Sequence, residues 1–177
     1  VATGTYALSA NTTGGQNVAV GYLSLSANTT AADNTAVGAQ SLQVNTVGAS
    51  NSAFGRYTLQ NNTASNNTAV GRSALQENTT GASNTCLGDN AGSSVTTGNH
   101  NILVGRNAGV DTIALTTGGH NVVLGNFSRT GTANDYYAIG LGYNITAAGG
   151  YTTLGRDSSD IRAAHGNVTW AAESDER

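Results

Sequence analysis

The chain has no Pro, no Met and no Lys, a single Cys, and only 10% charged and 6% aromatic residues. Each absence excludes something. Without Lys, no phosphate-binding loop of the Gly-Lys-Thr/Ser type is possible. One Cys (Cys86) rules out an intrachain disulfide framework. No apolar run approaches the roughly 20 residues of a transmembrane helix, and no signal-peptide pattern opens the chain. Seven Arg against ten acidic residues give a net charge of −3, which speaks against a basic nucleic-acid footprint. With no initiator Met, a chain starting at Val1 reads as a fragment or a processed product. What is abundant is Gly, Thr and Asn, at 24, 25 and 21 of 177 residues. These are poor helix formers. Such a composition suits either disorder or a repeated, turn-rich β structure, and only the order of residues separates the two.

The order is periodic. Asn17-Val-Ala-Val-Gly21 returns as Asn34-Thr-Ala-Val-Gly38, Asn51-Ser-Ala-Phe-Gly55, Asn67-Thr-Ala-Val-Gly71, Asn84-Thr-Cys-Leu-Gly88, Asn101-Ile-Leu-Val-Gly105 and Asn121-Val-Val-Leu-Gly125. Looser copies at 136–140 and 151–155 and a truncated copy ending at Gly4 give ten register glycines, separated by 17, 17, 17, 16, 17, 17, 20, 15 and 15 residues. Such phase marks a repeat protein.

Columns of the repeat suggest roles. The residue before the Gly is large and apolar in nine copies (Val20, Val37, Phe54, Val70, Leu87, Val104, Leu124, Ile139, Leu154), which predicts a core column. The residue before that is mostly small (Ala19, Ala36, Ala53, Ala69, Cys86, Ala138), which predicts a second, tightly packed face suited to contact between neighbouring rolls. Cys86 falls in this column and reads as a buried small hydrophobe rather than a reactive thiol. Four residues after the Gly, Leu8, Leu25, Leu42, Leu59 and Leu75 form a further anchor before giving way to Gly92 and Gly109. Two Asn columns (Asn17 to Asn121, and Asn11, Asn28, Asn45, Asn62, Asn78) have the spacing for amide ladders between rungs about 4.8 Å apart, and Asn and Gly also suit left-handed corners. The absence of Pro keeps every interior N–H available. Asn-x-Thr/Ser triplets follow from these columns, with glycosylation the lesser reading.

The expected fold is all-β: a β-solenoid, or parallel β-roll, of about ten coils of 15–20 residues over 1–155, roughly 48 Å long. Residues 156–177, where the phase is lost, form a connector or cap. Because the apolar content of each coil is small, several rolls packed side by side as a homo-oligomer is the working hypothesis.

Catalytic signals are weak, and no cofactor is implied. His100 and His120 both precede the register Asn, with Asp135 expected in the same place one coil further; stacked imidazoles would be a weak transition-metal candidate against two exposed loop histidines. The position after the Gly carries Arg56, Arg72 and Arg106, with Tyr57 beside the first. This edge would grip acidic or hydroxylated glycans, or else be a solvated edge in which Asp89 moderates the charge. The Thr column raises ice or mineral binding, although the flanking columns are mixed.

The repeat Asn-Thr-Ala-Val-Gly-x-x-x-Leu-x-x-Asn-Thr-Thr-Gly at 67–81 resembles the repeats of bacteriophage tail fibres. Residues 138–149 (Ala-Ile-Gly-Leu-Gly-Tyr-Asn-Ile-Thr-Ala-Ala-Gly) resemble the heads of trimeric autotransporter adhesins, which are left-handed parallel β-rolls packed three-fold. The last residues, Ala172-Glu173-Ser174-Asp175-Glu176-Arg177, resemble the start of the endosialidase-type intramolecular chaperone of phage tail fibres. That resemblance implies Ser174 as the nucleophile of self-cleavage, Glu173–Ser174 as the scissile bond, and a dyad completed by a Lys that this sequence lacks. Together these resemblances imply a homotrimeric, host-recognising virion component without enzymatic turnover. Its partners would be a host surface glycan or protein and other tail proteins, with no nucleic acid and no membrane insertion. A bacterial surface adhesin head is the alternative, and an ice-binding solenoid a more distant one.

Overall fold

The structure is a computed structural model that describes residues 1–110, 114–157, 159–166 and 171–172. All its regular elements are strands. They are β1 (Ala2–Thr3), β2 (Val18–Val20), β3 (Thr35–Val37), β4 (Ser52–Phe54), β5 (Thr68–Val70), β6 (Thr85–Leu87), β7 (Ile102–Val104), β8 (Val122–Leu124), β9 (Arg129–Thr130), β10 (Ile139–Tyr143), β11 (Thr146–Ala147), β12 (Tyr151–Arg156), β13 (Ser159–Ala164) and β14 (Ala171–Ala172). One sheet runs β1 through β8, then β10, β12, β13 and β14, and β9 pairs with β11 beside it. The pairing is parallel from β1 to β12, ten strands making nine turns of a β-solenoid, and antiparallel from β12 to β14.

Strands β2 to β8 have only three residues each because the coil turns sharply on both sides. The register glycines make one turn possible. Gly38 has φ +131°, and a Cβ there would sit 2.4 Å from the Gly55 carbonyl oxygen, so no side chain fits between the rungs. The other corners use left-handed backbone at non-Gly residues, including Leu25, Leu42, Leu59 and Leu75 with φ near 50°. This conformation costs an ordinary residue about 1–2 kcal/mol. Complete burial of the same Leu side chains offsets it by about 2 kcal/mol each. The ladder asparagines themselves are not at left-handed positions, contrary to the expectation that they would make the corners.

Opposite the sheet, a second wall repeats the coil-to-coil bonding. The N–H of Leu8, Leu25, Leu42, Leu59 and Leu75 each donates, at 3.0 Å, to a carbonyl of the following coil. Between the walls lies the core: Leu25, Leu42, Leu59 and Leu75 from one side, and Ala19, Ala36, Ala53, Ala69 and Cys86 from the other, all fully buried, with the partly buried Leu8 packed against them at the first coil.

The expected core column is therefore displaced by one residue. Ala53 and Ala69 are at 0% exposure, whereas Phe54 and Val70 stand at 42% and 41%. The large apolar column is an outward ridge, and the small column faces the interior instead of a neighbouring roll. The physical reason is width. A Leu reaching across from the second wall already fills a 17-residue coil, leaving room for only a methyl or thiol on the strand. The exchange can be seen where it reverses. At the seventh and eighth strands the sheet contributes Leu103 and Val123, and the Leu positions of the sixth and seventh coils become Gly92 and Gly109. A Cβ on either glycine would lie 2.9 Å from Cδ1 of Leu103. Leu103 from the sheet thus occupies the space that a Leu at Gly92 or Gly109 would need.

The register of the later coils also differs from the expectation. Leu124 pairs with Leu141, and Gly142 aligns with Gly155, so the register glycine is Gly142 and not Gly140. Gly140 takes the inward position, Leu141 the ridge, and Ala138 succeeds the ladder asparagines.

The Asn ladder is the main polar element of the interior. The backbone N–H of Asn34, Asn51, Asn67, Asn84, Asn101 and Asn121 donates to the side-chain Oδ1 of the preceding Asn at 2.9–3.1 Å. Each Nδ2 reaches a carbonyl across the coil, as Asn34 does to Gly48 at 2.9 Å and Asn67 to Gly81 at 2.9 Å. The second column meets it at the same carbonyls: Asn45 Nδ2 donates to Gly48 and Asn78 Nδ2 to Gly81, each at 2.8 Å. Replacing Asn67 by Ala strands the N–H of Asn84 and removes a donor from Gly81. At about 1–3 kcal/mol for each buried group left unpaired, the expected loss is about 3 kcal/mol. Thr68→Ala, on the exposed side of the next position, should change stability by no more than about 0.5 kcal/mol. Urea unfolding midpoints of the two variants check the contrast; equal midpoints would refute it.

Candidate functional site

The register glycines present the following residue at a corner on one edge. The carbonyls of Arg56, Arg72, Asp89 and Arg106 accept from the N–H groups of Ser73, Asn90, Asn107 and Phe127 in the next coil, at 2.9–3.0 Å. The four side chains thus stand on successive or near-successive rungs of that edge, as the spacing suggested. Their guanidinium groups are not equivalent. Arg56 lies 4.3 Å from the centre of the Tyr57 ring and donates to its hydroxyl. Arg72 forms a two-pronged pair with Asp89, at 2.9 and 3.2 Å, and this carboxylate raises the Arg72 pKa further above its ordinary value. Arg106 covers the Phe127 ring at 4.5 Å. An incoming oxyanion would therefore meet free N–H groups on Arg56 and Arg106, while the fork of Arg72 already holds an acid. The surface pair itself contributes little to stability, because both partners are hydrated.

His100 and His120 do stand on adjacent coils, with ring centroids 4.7 Å apart and planes 22° apart. The expected third member does not. Tyr137, not Asp135, stacks on His120 at 5.2 Å and 21°. The carboxylate of Asp135 is held by the N–H of Thr132 at 3.0 Å and its hydroxyl at 2.5 Å. Two parallel imidazoles next to a phenol supply too few donors for a metal, and among the described residues no group of three or more His, Cys, Asp or Glu could hold one.

The threonine column is committed within the chain. The hydroxyls of Thr12, Thr63, Thr79, Thr96 and Thr116 donate to carbonyls of the following coil at 2.9–3.3 Å. A glutamine ladder went unread in the sequence. Gln60 donates to Gln43 and Gln76 to Gln60, both at 3.0 Å, and the signal for it is the Leu-Gln pair at 42–43, 59–60 and 75–76. Glu173 and Ser174, the proposed scissile bond, lie outside the described residues.

No family model, curated protein or solved structure matches this chain. The fold alone defines its class: an all-β solenoid of stacked parallel coils.

Cys86 is fully enclosed, and burial pushes its thiol well above the ordinary range because the thiolate would lose its hydration. The folded pKa exceeds the unfolded one of about 8.5, so the resulting stability is complete below that pH and is lost as the pH rises past it. The expected slope is about 1.4 kcal/mol per pH unit between pH 9 and 10. It should be absent in Cys86→Ala, whose side chain matches neighbouring Ala69. Equal slopes in denaturant titrations of the two proteins would contradict this.

Proposed function

We propose that the chain is a rigid, structural and host-recognising segment of a phage tail fibre, acting as a homotrimer without enzymatic turnover. The observation that carries this reading is the outer face of the sheet. Its ridge column runs Val20, Val37, Phe54, Val70, Leu87, Val104, Leu124, Leu141 and Leu154 without one polar residue. The column beside it (Val18, Thr35, Ser52, Thr68, Thr85, Ile102, Val122, Ile139) carries no charge. A continuous apolar stripe of this length on one soluble chain marks an interaction face. A second and third copy of the same stripe fit it, since each rung would meet a like rung at one spacing. The resemblance of 138–149 to three-fold adhesin heads supports the number three.

Function then follows from geometry. A rod displays the same weak contact three times, and the linked copies gain avidity without any single strong site. The arginine edge, through Arg56 with Tyr57 and through Arg106, faces a surface glycan or protein of the host, with Arg72 held back by its ion pair.

Sedimentation equilibrium of the intact chain tests the assembly. The expected mass is three chains, falling to one in a Val70→Glu, Leu87→Glu double variant whose coil interior is untouched. A stable, folded monomer of the unaltered chain at micromolar concentration would overturn the proposal.

A further inference from the structure

The column that precedes the Asn ladder takes left-handed backbone in every coil: Gln16, Asp33, Ser50, Asn66, Ser83, His100, His120 and Tyr137 have φ between 57° and 65°. Its last three members are the stacked rings, 4.7 and 5.2 Å apart. The pairing of Ile139 with Thr152 places Gly150 next in the column. Gly150 keeps the left-handed backbone, with φ +76°, but has no side chain, and a Cβ built there would meet no heavy atom within 4 Å. The stack therefore stops one rung early. Tyr137, backed on one face by His120, is 58% exposed.

Other groups frame the gap. The antiparallel β13 brings His165 past it: its N–H donates to the Gly150 carbonyl at 2.8 Å, and its Nε2 lies 3.3 Å from the Thr152 hydroxyl. Tyr136, half exposed, stands beside Tyr137 with its ring tilted by 50°. At Gly119 the Tyr136 ring comes within 3.0 Å of where a Cβ would be. At Gly150 nothing does so.

We propose that the exposed Tyr137 face at this missing rung is a carbohydrate subsite that takes one neutral pyranose ring, its C–H face on Tyr137. A pyranose fits for three reasons. The missing rung leaves about 4.8 Å of height, one ring thickness. The negative face of a phenol ring attracts polarised C–H groups. A ring already fixed by its stack loses little entropy when it is covered. The sugar's hydroxyl edge meets the Thr152 hydroxyl and the His165 imidazole. A nucleotide suits the place less well, because the Asp135 carboxylate lies 3.3 Å from the Cβ position of neighbouring Gly149 and the chain is net negative. The subsite is separate from the arginine edge, and it stands or falls independently of the trimer.

Saturation-transfer NMR of the full chain with the methyl pyranosides of glucose, galactose and N-acetylglucosamine tests it. Transfer to the ring C–H protons of at least one sugar is expected. Gly150→Tyr, which continues the stack at a backbone angle Tyr137 already adopts, should weaken binding about tenfold, as should Tyr137→Ser, which restores the residue type at Ser83. Tyr137→Phe, which keeps the ring face, should retain binding. No transfer from the unaltered chain to any of the three, binding undiminished in Gly150→Tyr, loss in Tyr137→Phe, or binding of adenosine in place of the sugars would each overturn the proposal.

Discussion

Seven consecutive coils of this solenoid depend on a buried amide in one fixed place, from Asn17 to Asn121. The Oδ1 of each ladder Asn takes the N–H of the Asn above it, while its Nδ2 holds a carbonyl on the far side of the same cavity. Such groups, enclosed and away from water, would cost free energy if unpaired. They therefore hold the rungs in phase along the sheet and across the roll at once. Changes of coil length are confined to places that leave the ladder intact. The 16-residue coil drops a residue between Asn62 and Asn67, and the N–H of Asn67 still reaches Asn51 at 2.9 Å. The 20-residue coil places its extra residues between Gly109 and Leu115, closed by a Leu115 N–H to Gly109 carbonyl bond of 2.9 Å, and Asn121 still reaches Asn101 at 3.1 Å.

The second Asn column shows what happens when that constraint is relaxed. It ends at Asn78, whose Oδ1 is buried without a partner because Val95 stands in the next coil. From there apolar side chains replace amides at this position, Val95 and then Leu115, and the opposite Leu gives way to Gly. One coil design thus grades into another without interrupting the sheet. Strands β7 and β8 carry more inward apolar volume, as Leu103 and Val123, and the ridge is flanked by Ile102, Val122 and Ile139 instead of Thr and Ser.

The phase of the repeat, the parallel sheet, both Asn columns and the buried Leu anchors could be read directly from spacing. Which strand residues face inward could not. Side-chain size suggests that Phe54 is buried and Ala53 peripheral, yet the interior width is set by a Leu from the other wall, a long-range fact that no three-residue motif contains. The slip in the later coils has a local cause. Residues 138–142 read Ala-Ile-Gly-Leu-Gly, and either glycine satisfies the motif until the pairing of Leu141 with Leu124 chooses Gly142. The same two-residue shift exchanges Asp135 for Tyr137 on the imidazole stack. At the arginine edge, the column was legible but the partners were not. Asp89 is one coil from Arg72 and Phe127 one from Arg106, contacts that exist only once the coils are stacked.

Native-state hydrogen exchange most directly tests the claim that the ladder holds the coils together. The backbone amides of Asn34, Asn51, Asn67, Asn84, Asn101 and Asn121 should be among the slowest in the chain, exchanging only with global unfolding. Exchange of these amides as fast as that of the exposed corner residues Arg56 and Arg72 would contradict the account.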